Sequence, residues 1–418
     1  MSADPLHLFE ATGIELEYMI VDRRGLAVLP VADQVLAAAA GEIVSEVELG
    51  PLAWSNELVL HVIELKTNGP AGRLAGLAEI FTDHIGRINK VLAPLEGRLM
   101  PTACHPWMDP LTETVLWPHE YSPVYEAYNR IFDCRGHGWS NLQSLHINLP
   151  FCGDEEFGRL HAAIRLLLPI MPALTASSPI LDGRRTGFLD SRMEVYRHNS
   201  ERIPSVAGRI IPEPVYSKEA YDREVFQRMY ADIAPLDPEG TLQQEFLNAR
   251  GAIARFDRGA IEIRVLDVQE CPQADLAAAA LITTALKALC AGQWIGLERI
   301  KAFDTGLLAD LFLAVIKEGD DAIIDHAPYL NALGLNGTRR RAREVWQHLA
   351  AATATLDADG LDPLLSAARA TLLDQGCLAR RIVTALGGGE RGGERREKLT
   401  EIYGRLCDCL SKGEMFRG

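Results

Sequence analysis

The segment at residues 13–22, GIELEYMIVD, contains two glutamates two residues apart within an apolar run, a pattern typical of a β-strand. Residues two apart in a strand point to the same face, so Glu15 and Glu17 share a face. Two neighbouring carboxylates repel each other, and burial makes each of them costlier. The segment therefore predicts a strand whose polar face lies at a site with compensating positive charge.

Three more strand-like stretches carry the same kind of residue. They place Glu57 and Glu64 in SNELVLHVIELKTNGP (55–70), His146 in SNLQSLHINLP (140–150), and Glu262 with Arg264 in ARFDRGAIEIRVLDVQ (254–269). Together with the first segment they supply five carboxylates, one imidazole and one guanidinium. Hard oxygen ligands of this kind suit Mg²⁺ or Mn²⁺ better than a thiolate zinc site.

Strand-like and helical stretches alternate up to Gln269. The predicted strands are Gly13–Val21, Ile43–Leu49, Leu58–Lys66, Arg98–Ala103, Gln143–Leu149 and Ala252–Val268. The predicted helices between them are VADQVLAAAA (31–40), the run 73–95, and EEFGRLHAAIRLLLPIMPALTA (155–176). From Ala274 to Leu410 the pattern is helical, and LGGGERGGERRE (386–397) interrupts it as a flexible connector. Alternating polar residues favour antiparallel pairing, so we expect an α+β fold with a helical C-terminal third.

Composition and charge restrict the partners and the cellular compartment that we expect for this protein. The formal net charge of −15 argues against nucleic acid or an anionic membrane as a partner. No apolar run approaches the roughly 18 residues of a membrane span, and no signal peptide is visible at the N-terminus. The eight cysteines are scattered and form no disulfide framework. We therefore expect a cytoplasmic protein with reduced thiols.

The acidic set has a chemical use in phosphoryl transfer. Protein carboxylates and substrate phosphates commonly share Mg²⁺, so a cleft with several carboxylates suits a nucleoside triphosphate. Arg264, two residues after Glu262, would clamp the transferring γ-phosphoryl group. The chain has neither a G-x-x-x-x-G-K-[ST] loop nor a G-x-G-x-x-G motif after a strand. We expect metal ions and arginines to hold the nucleotide instead.

Five segments in order resemble glutamate–cysteine ligase family 2 and its carboxylate–amine ligase relatives. They are GIELEYMIVD, NELVLHVIELKT, SLHINLP, ASSPILDGRRTGFLDSR and RGAIEIRVLDVQ, which extend from residue 13 to residue 269. The resemblance implies a fold like that of glutamine synthetase and the guanidino kinases, with a curved, mainly antiparallel sheet. It also implies ATP-dependent phosphorylation of a carboxylate followed by attack of an amine. The expected enzyme is a glutamate–cysteine ligase of glutathione biosynthesis that uses ATP with Mg²⁺ or Mn²⁺.

The resemblance assigns a role to each candidate residue. Metal ligation is implied for Glu15, Glu17, Glu57, Glu64, His146 and Glu262. ATP or substrate binding is implied for His146, Arg184, Arg192 and Arg264, and a catalytic role for Glu262 and Arg264. We expect residues 1–418 to form one catalytic unit, with the helical part 274–418 packed on the core motifs 13–269.

The stretch after Arg192 departs from the family pattern. Residues 193–217, MEVYRHNSERIPSVAGRIIPEPVYS, lie where the acceptor pocket is expected, so the amine substrate stays open. Cysteine is the default acceptor and glutamate the expected donor. Two other classes also stay open: a non-catalytic, ligand-binding or regulatory descendant of the fold, and a phosphotransferase of the guanidino-kinase type. The sequence leaves the oligomeric state undecided, although homodimers are common among enzymes of this size.

Overall fold

The computed structural model describes residues 5–357, 362–387 and 395–418. Its strands, in chain order, are β1 Gly13–Asp22, β2 Glu46–Leu49, β3 Leu52–Asn56, β4 Val62–Thr67, β5 Gly97–Met100, β6 Ser144–Pro150, β7 Ile180–Leu181, β8 Arg184–Arg185, β9 Ala252–Arg255, β10 Ala260–Asp267, β11 Ile323–Ile324 and β12 Arg340–Arg341. Eight of them form one sheet with the order β2-β3-β4-β1-β6-β10-β9, and β5 pairs with the end of β1. Every pairing in this sheet is antiparallel, which confirms the predicted α+β class.

Helices flank this sheet and fill the C-terminal third. They are α1 Ala32–Ala40, α2 Leu77–Leu92, α3 Pro110–Glu113, α4 Ser122–Phe132, α5 His137–Ser140, α6 Gly153–Leu167, α7 Pro172–Thr175, α8 Ser191–Tyr196, α9 Lys218–Tyr221, α10 Gln227–Ile233, α11 Pro272–Cys290, α12 Leu297–Lys301, α13 Thr305–Glu318, α14 Ala327–Ala332, α15 Ala342–Ala352, α16 Pro363–Gln375, α17 Leu378–Leu386 and α18 Arg396–Lys412. The predicted connector at 386–397 lies mostly outside the described residues.

The two faces of β1 have different surroundings, as the alternation in its sequence predicts. Ile14, Leu16, Tyr18 and Ile20 are fully buried in the main core, which helices of both the N-terminal and C-terminal parts share. The opposite face carries the two glutamates and then apolar residues, which join a second core formed with α17 and α18. The C-terminal helices therefore cover one end of the site-bearing face, while the glutamates at the other end line a cavity. The description of residues 1–418 as one catalytic unit stays a prediction.

The predicted strands 43–49 and 98–103 are shorter in the structure, and two others differ more. The run 58–66 begins with a turn, and β4 starts only at Val62. The preceding strand β3 was not predicted, because its sequence LAWSN combines apolar residues with polar ones that are typical of turns. The run 252–268 is a hairpin of β9 and β10 rather than one strand. Gly259 permits its turn by adopting a positive φ of 64°.

Helix α11 is the core helix of the molecule. The expectation that no apolar run approaches the length of a membrane span was wrong for this segment, because α11 is long and apolar enough by length and composition. In the structure, however, 94% of it is buried within the protein, where it packs against α2, α6 and α16. A buried core helix passes the same compositional test as a membrane span.

Candidate active site

The antiparallel register brings the predicted acidic residues together on one face of the sheet. Glu17 on β1 lies opposite Glu64 on β4, and Glu15 lies opposite His146 on β6. Glu262 lies one strand further along, on β10, which pairs with β6. Because neighbouring residues on one face of a sheet are about 5 Å apart, these side chains converge without any contribution from loops.

His146 lies at the centre of this group. Its Nδ1 is 2.9 Å from Oε2 of Glu15 and 3.8 Å from Oε1 of Glu262, and its Nε2 is 3.9 Å from Oε1 of Glu17. Burial alone would lower the pKa of His146, but the hydrogen bond to Glu15 and the surrounding carboxylates raise it to about 9. Burial alone would raise the pKa of Glu15, but His146 lowers it to about 2. When no metal ion is bound, the imidazolium therefore compensates part of the acidic charge, whereas a metal ion held by His146 requires the neutral ring.

The negative charge of Glu64 is less well compensated than that of Glu15. Its Oε2 accepts a hydrogen bond of 2.5 Å from the Ser55 hydroxyl and lies 3.2 Å from the Lys66 ammonium. Lys66 is shared, because it also pairs with Glu46 at 2.7 Å. Burial and the nearby charge of Glu15 raise the pKa of Glu64 to about 7. A further cation at this position would relieve the repulsion.

Glu57 follows the end of β3, in the connection to β4, rather than starting a strand. Burial and the charges of Glu17 and Glu64 raise its pKa well above the ordinary value. The neighbouring Asn56 amide donates to the Tyr125 hydroxyl at 3.0 Å, which ties this connection to α4. Glu57 therefore lines the cavity as a second carboxylate, beside Glu64, whose charge is incompletely compensated.

Arg264 and Glu262 share a face, as predicted, and they touch. The Arg264 guanidinium donates to Oε1 of Glu262 from Nε at 2.9 Å and from Nη2 at 2.5 Å. Glu262 is 3% exposed and also lies 3.6 Å from Nη1 of Arg255. The pairing of β10 with β6 shifts register just after Ile263, so Arg264 lies at a bulge. Bulges re-aim side chains, and this one directs Arg264 to the cavity wall.

The two arginines from the segment GRRTGFLDSR have different positions. Arg192 is buried and lines the cavity, where its Nη2 donates to the Arg264 carbonyl oxygen at 3.0 Å. Arg184 is exposed on β8 and pairs only loosely with Asp182, at 3.8 Å. The prediction that Arg184 binds ATP or substrate gains no support from its position, because Arg184 lies on the short β7–β8 hairpin, which is separate from the main sheet. It does not line the cavity described for this chain.

The cavity above the carboxylates has a volume of about 360 Å³ and two unlike sides. One side is the acidic sheet face. The other is an aromatic wall contributed by α4, α5, α8 and the segment before β9: Tyr125, Tyr128, Trp139, Tyr196 and Phe246. A second cavity of about 340 Å³ shares Glu15, Lys66 and Arg258 with the first, so the cleft continues across the sheet.

The donor set fits divalent metal ions. Two overlapping groups each bring three ligand atoms within 4.8 Å of one another: Glu15, His146 and Glu262, and Glu17, Glu64 and His146. The ligands are mainly carboxylate oxygens, as Mg²⁺ and Mn²⁺ prefer. Burial and the neighbouring carboxylates raise the pKa values of Glu57 and Glu64, so a bound cation would stabilise the charged form of both. The structure therefore brings Glu15, Glu17, Glu64, His146 and Glu262 together, and their ligation of a metal ion stays a prediction.

Several cavity residues were missed from the sequence. Lys66 follows Glu64 by two residues, and Ser144 and Asn148 flank His146 at the same spacing, so the rule that grouped the glutamates also finds them. Ser144 donates to Oε2 of Glu17 from its backbone amide at 2.7 Å and from its hydroxyl at 2.9 Å. Asn148 donates to Oε1 of Glu15 at 2.9 Å. The aromatic wall had no comparable signal, because it is assembled from separate segments.

Comparison with known proteins assigns the family. Residues 11–299 match the model of glutamate–cysteine ligase family 2, and the chain belongs to this family. This confirms the resemblance seen in the five motifs, and it supports a carboxylate–amine ligase of the glutamate–cysteine ligase type.

Two related proteins have sequence identities to this chain of 34% and 28% over the matched residues. A functionally uncharacterised protein of Archaeoglobus fulgidus is 34% identical over 277 residues, which cover 66% of this chain and 74% of that protein. A Rubrobacter xylanophilus protein provisionally named glutamate–cysteine ligase 2-3 is 28% identical over 188 residues. That match spans 44% of this chain and 47% of the relative, less than half of either.

A solved structure has the same fold. The crystal structure of glutamate–cysteine ligase from Francisella tularensis in complex with AMP superimposes with a TM-score of 0.64. The superposition covers 98% of this chain and 90% of that one, at 14% sequence identity. At this identity the match establishes the fold alone.

Proposed function

We propose that this protein is an ATP-dependent ligase that joins the γ-carboxylate of glutamate to the amine of cysteine through an acyl phosphate. The observation that carries the proposal is the pair of overlapping ligand sets around His146, with Arg264 at their edge. Family membership supports the reaction type. The AMP bound by the structural relative from Francisella tularensis supports the choice of an adenine nucleotide.

The proposed reaction has two steps. A carboxylate oxygen of the donor attacks the γ-phosphorus of ATP and ADP leaves. The amine nitrogen then attacks the acyl carbon, phosphate leaves, and the nitrogen gives up its proton to water or a cavity carboxylate. Glu15, Glu17, Glu57, Glu64, His146 and Glu262 would hold Mg²⁺ or Mn²⁺, which would neutralise phosphate charge. Arg264 would donate to the γ-phosphoryl oxygens, where a fixed cation stabilises the transition state.

The aromatic wall is our candidate for the acceptor pocket. Two cavity residues, Tyr196 and Asn199, belong to the divergent segment 193–217. The Asn199 carbonyl oxygen accepts a hydrogen bond of 3.0 Å from the Trp139 indole nitrogen, so this segment supports the wall. Aromatic surfaces suit an apolar or thiol side chain better than a charged one. We therefore propose that the wall contacts the side chain of the amine substrate.

An ADP-release screen separates the open classes. Purified protein with ATP and Mg²⁺ is supplied with glutamate alone, with each amino acid alone, and with glutamate paired with each amino acid. A ligase releases ADP, phosphate and an amide only when acid and amine are both present. A guanidino-kinase-like enzyme releases ADP with one phosphorylated product, and a non-catalytic descendant releases none. Either of those outcomes would contradict the proposal.

A further inference from the structure

We infer that a separate cavity, beside the first turn of α13 and distinct from the two cavities at the acidic face, binds the phosphate group of a small molecule. The cavity has a volume of about 550 Å³. Among the described residues it shares no lining side chain with the candidate active site. It lies between the divergent segment 193–217, the segment that precedes β9, and the start of α13. The inference does not rest on the proposed ligase activity.

Positive charge dominates the cavity lining. Arg209, Arg228 and Arg250 contribute to it, against the carboxylates Glu213 and Asp304. Arg250 is buried and forms a two-pronged pair with Glu213, at 2.5 and 2.7 Å, so these two charges cancel. Arg209 and Arg228 are exposed, and neither has an ion pair within the described part of the chain. Their guanidinium groups are therefore available to an anion.

A buried cation lies just behind the cavity. Arg165 is fully buried and has no carboxylate partner in the ranges that the structure describes. It is held by neutral acceptors instead: Nε donates to the Pro212 carbonyl at 2.8 Å and Nη2 to the Thr305 hydroxyl at 2.9 Å. Thr305 itself lines the cavity. The cavity carboxylates Glu213 and Asp304 offset part of this charge from a longer distance. Four arginines, Arg165, Arg209, Arg228 and Arg250, still face these two carboxylates, and the excess positive charge favours an anion in this cavity.

Two polar features complete the site. Ser205 lines the cavity and is 6% exposed, and its hydroxyl has no hydrogen-bond partner among the described residues. The first turn of the 14-residue helix α13 also borders the cavity, and Gly306 lets the Arg209 guanidinium approach it closely. The Asp304 carboxylate already caps this helix start by accepting from the Leu307 amide at 2.9 Å, so the arginines rather than the helix amides supply the positive charge. A buried hydroxyl without a partner is costly, and rotation of the Ser205 side chain toward the cavity would let a phosphate oxygen satisfy it.

The ligand class follows from these groups. The guanidinium forks of Arg209 and Arg228 present several donors toward one space, as a tetrahedral oxyanion requires, and the Ser205 side chain lies beside them. Free phosphate and a phosphorylated metabolite share this chemistry. Titration with inorganic phosphate and with ribose 5-phosphate, which lacks the adenine base, distinguishes the two sources, since a phosphorylated metabolite should bind more tightly than free phosphate if the rest of the cavity contributes contacts.

The test is calorimetric titration of inorganic phosphate into the full chain in EDTA, so that the acidic active site repels the anion. We expect one bound phosphate in wild type, in Arg264→Ala and in the exposed control Arg73→Ala. The double variant Arg209→Ala/Arg228→Ala should bind at least about tenfold more weakly, with an unchanged melting temperature. No binding in wild type, equal binding in the double variant, or loss in Arg264→Ala would overturn the inference.

Ser205→Ala provides an independent check. Because the Ser205 hydroxyl has no partner within the described ranges, its removal should not lower the melting temperature. Phosphate binding should weaken by several-fold, since one donor is lost. Unchanged binding in Ser205→Ala, together with unchanged binding in the arginine double variant, would show that this cavity is not a phosphate site.

Discussion

Arg192 and Asp267 form a buried ion pair, 2.7 Å from Nε to Oδ1, at the edge of the cavity that the acidic face lines. Their side chains are 3% and 0% exposed. Asp267 also accepts hydrogen bonds from the backbone amide of Ser177 and the hydroxyl of Ser178, both at 2.8 Å. Because Arg192 in turn donates to the Arg264 carbonyl, the pair connects the end of β10 to the bulge that presents Arg264.

We predict that Arg192→Lys lowers kcat by about tenfold or more and leaves KM for ATP within about twofold. A lysine cannot make both contacts that the planar guanidinium makes, so Arg264 loses its backbone support. Steady-state kinetics with a melting curve measure this. Arg184→Lys is the matched control, because Arg184 lies outside the cavity, and it should behave like wild type. Equal losses in both variants would refute a positioning role for Arg192.

Arg264 itself should be needed for turnover. Loss of a cation at the transferring phosphoryl group typically costs about 10³-fold, and we expect this for Arg264→Ala. Arg264→Lys should rescue poorly, since it lacks the fork that grips two oxygens. The observed pairing with Glu262 also allows a purely structural role. In that case Arg264→Lys would keep near-native turnover, and Arg264→Ala would lose activity only as far as it unfolds.

The carboxylates should be required for metal binding. Substituting Gln for Glu15, Glu17, Glu64 or Glu262 should remove most activity and weaken Mn²⁺ binding by about tenfold or more, as expected when a charged ligand is lost. Titration of Mn²⁺ by electron paramagnetic resonance reports binding without turnover. The control is Glu48→Gln, because Glu48 is exposed on β2, the strand next to β3 at the end of the sheet. Full activity in EDTA would show that the acidic face has another purpose.

The aromatic wall should determine acceptor affinity. Trp139→Ala is expected to raise KM for the amine by about tenfold and to leave KM for ATP within about twofold, because a large buried contact surface is lost. Trp139 also stacks on Phe132, at 5.3 Å between ring centroids, so this variant can be destabilised. Phe246→Ala, whose residue is 38% exposed, tests the same wall with less risk to the fold. A rise in KM for ATP instead would assign the wall to the nucleotide.

The acidic face could be predicted because strand periodicity is local. Glu15, Glu17 and Glu64 follow the two-residue repeat, and the antiparallel register then places them side by side. The positive charges were harder to predict. His146 was seen as a ligand, but its function as a counter-charge depends on three carboxylates from two other strands.

Structural features that are assembled from distant segments could not be recognised from a local sequence pattern. Arg184 and Arg192 occur eight residues apart in one motif, and only tertiary packing shows that one of them is buried at the site and the other is exposed. The hairpin of β9 and β10 was predicted as one strand, since its turn FDRG contains only one glycine. The aromatic wall and the arginine cavity beside α13 likewise depend on how loops pack, which periodicity does not reveal.

Transfer of oxygen-18 tests the proposed acyl phosphate most directly. Glutamate labelled in its γ-carboxylate is incubated with protein, ATP, Mg²⁺ and the amine acceptor found in the ADP-release screen, and released phosphate is analysed by mass spectrometry. If the carboxylate attacks the γ-phosphorus, one labelled oxygen passes to each phosphate as the amide forms. We predict one oxygen-18 atom per phosphate released. Amide formation with unlabelled phosphate would contradict the proposed mechanism.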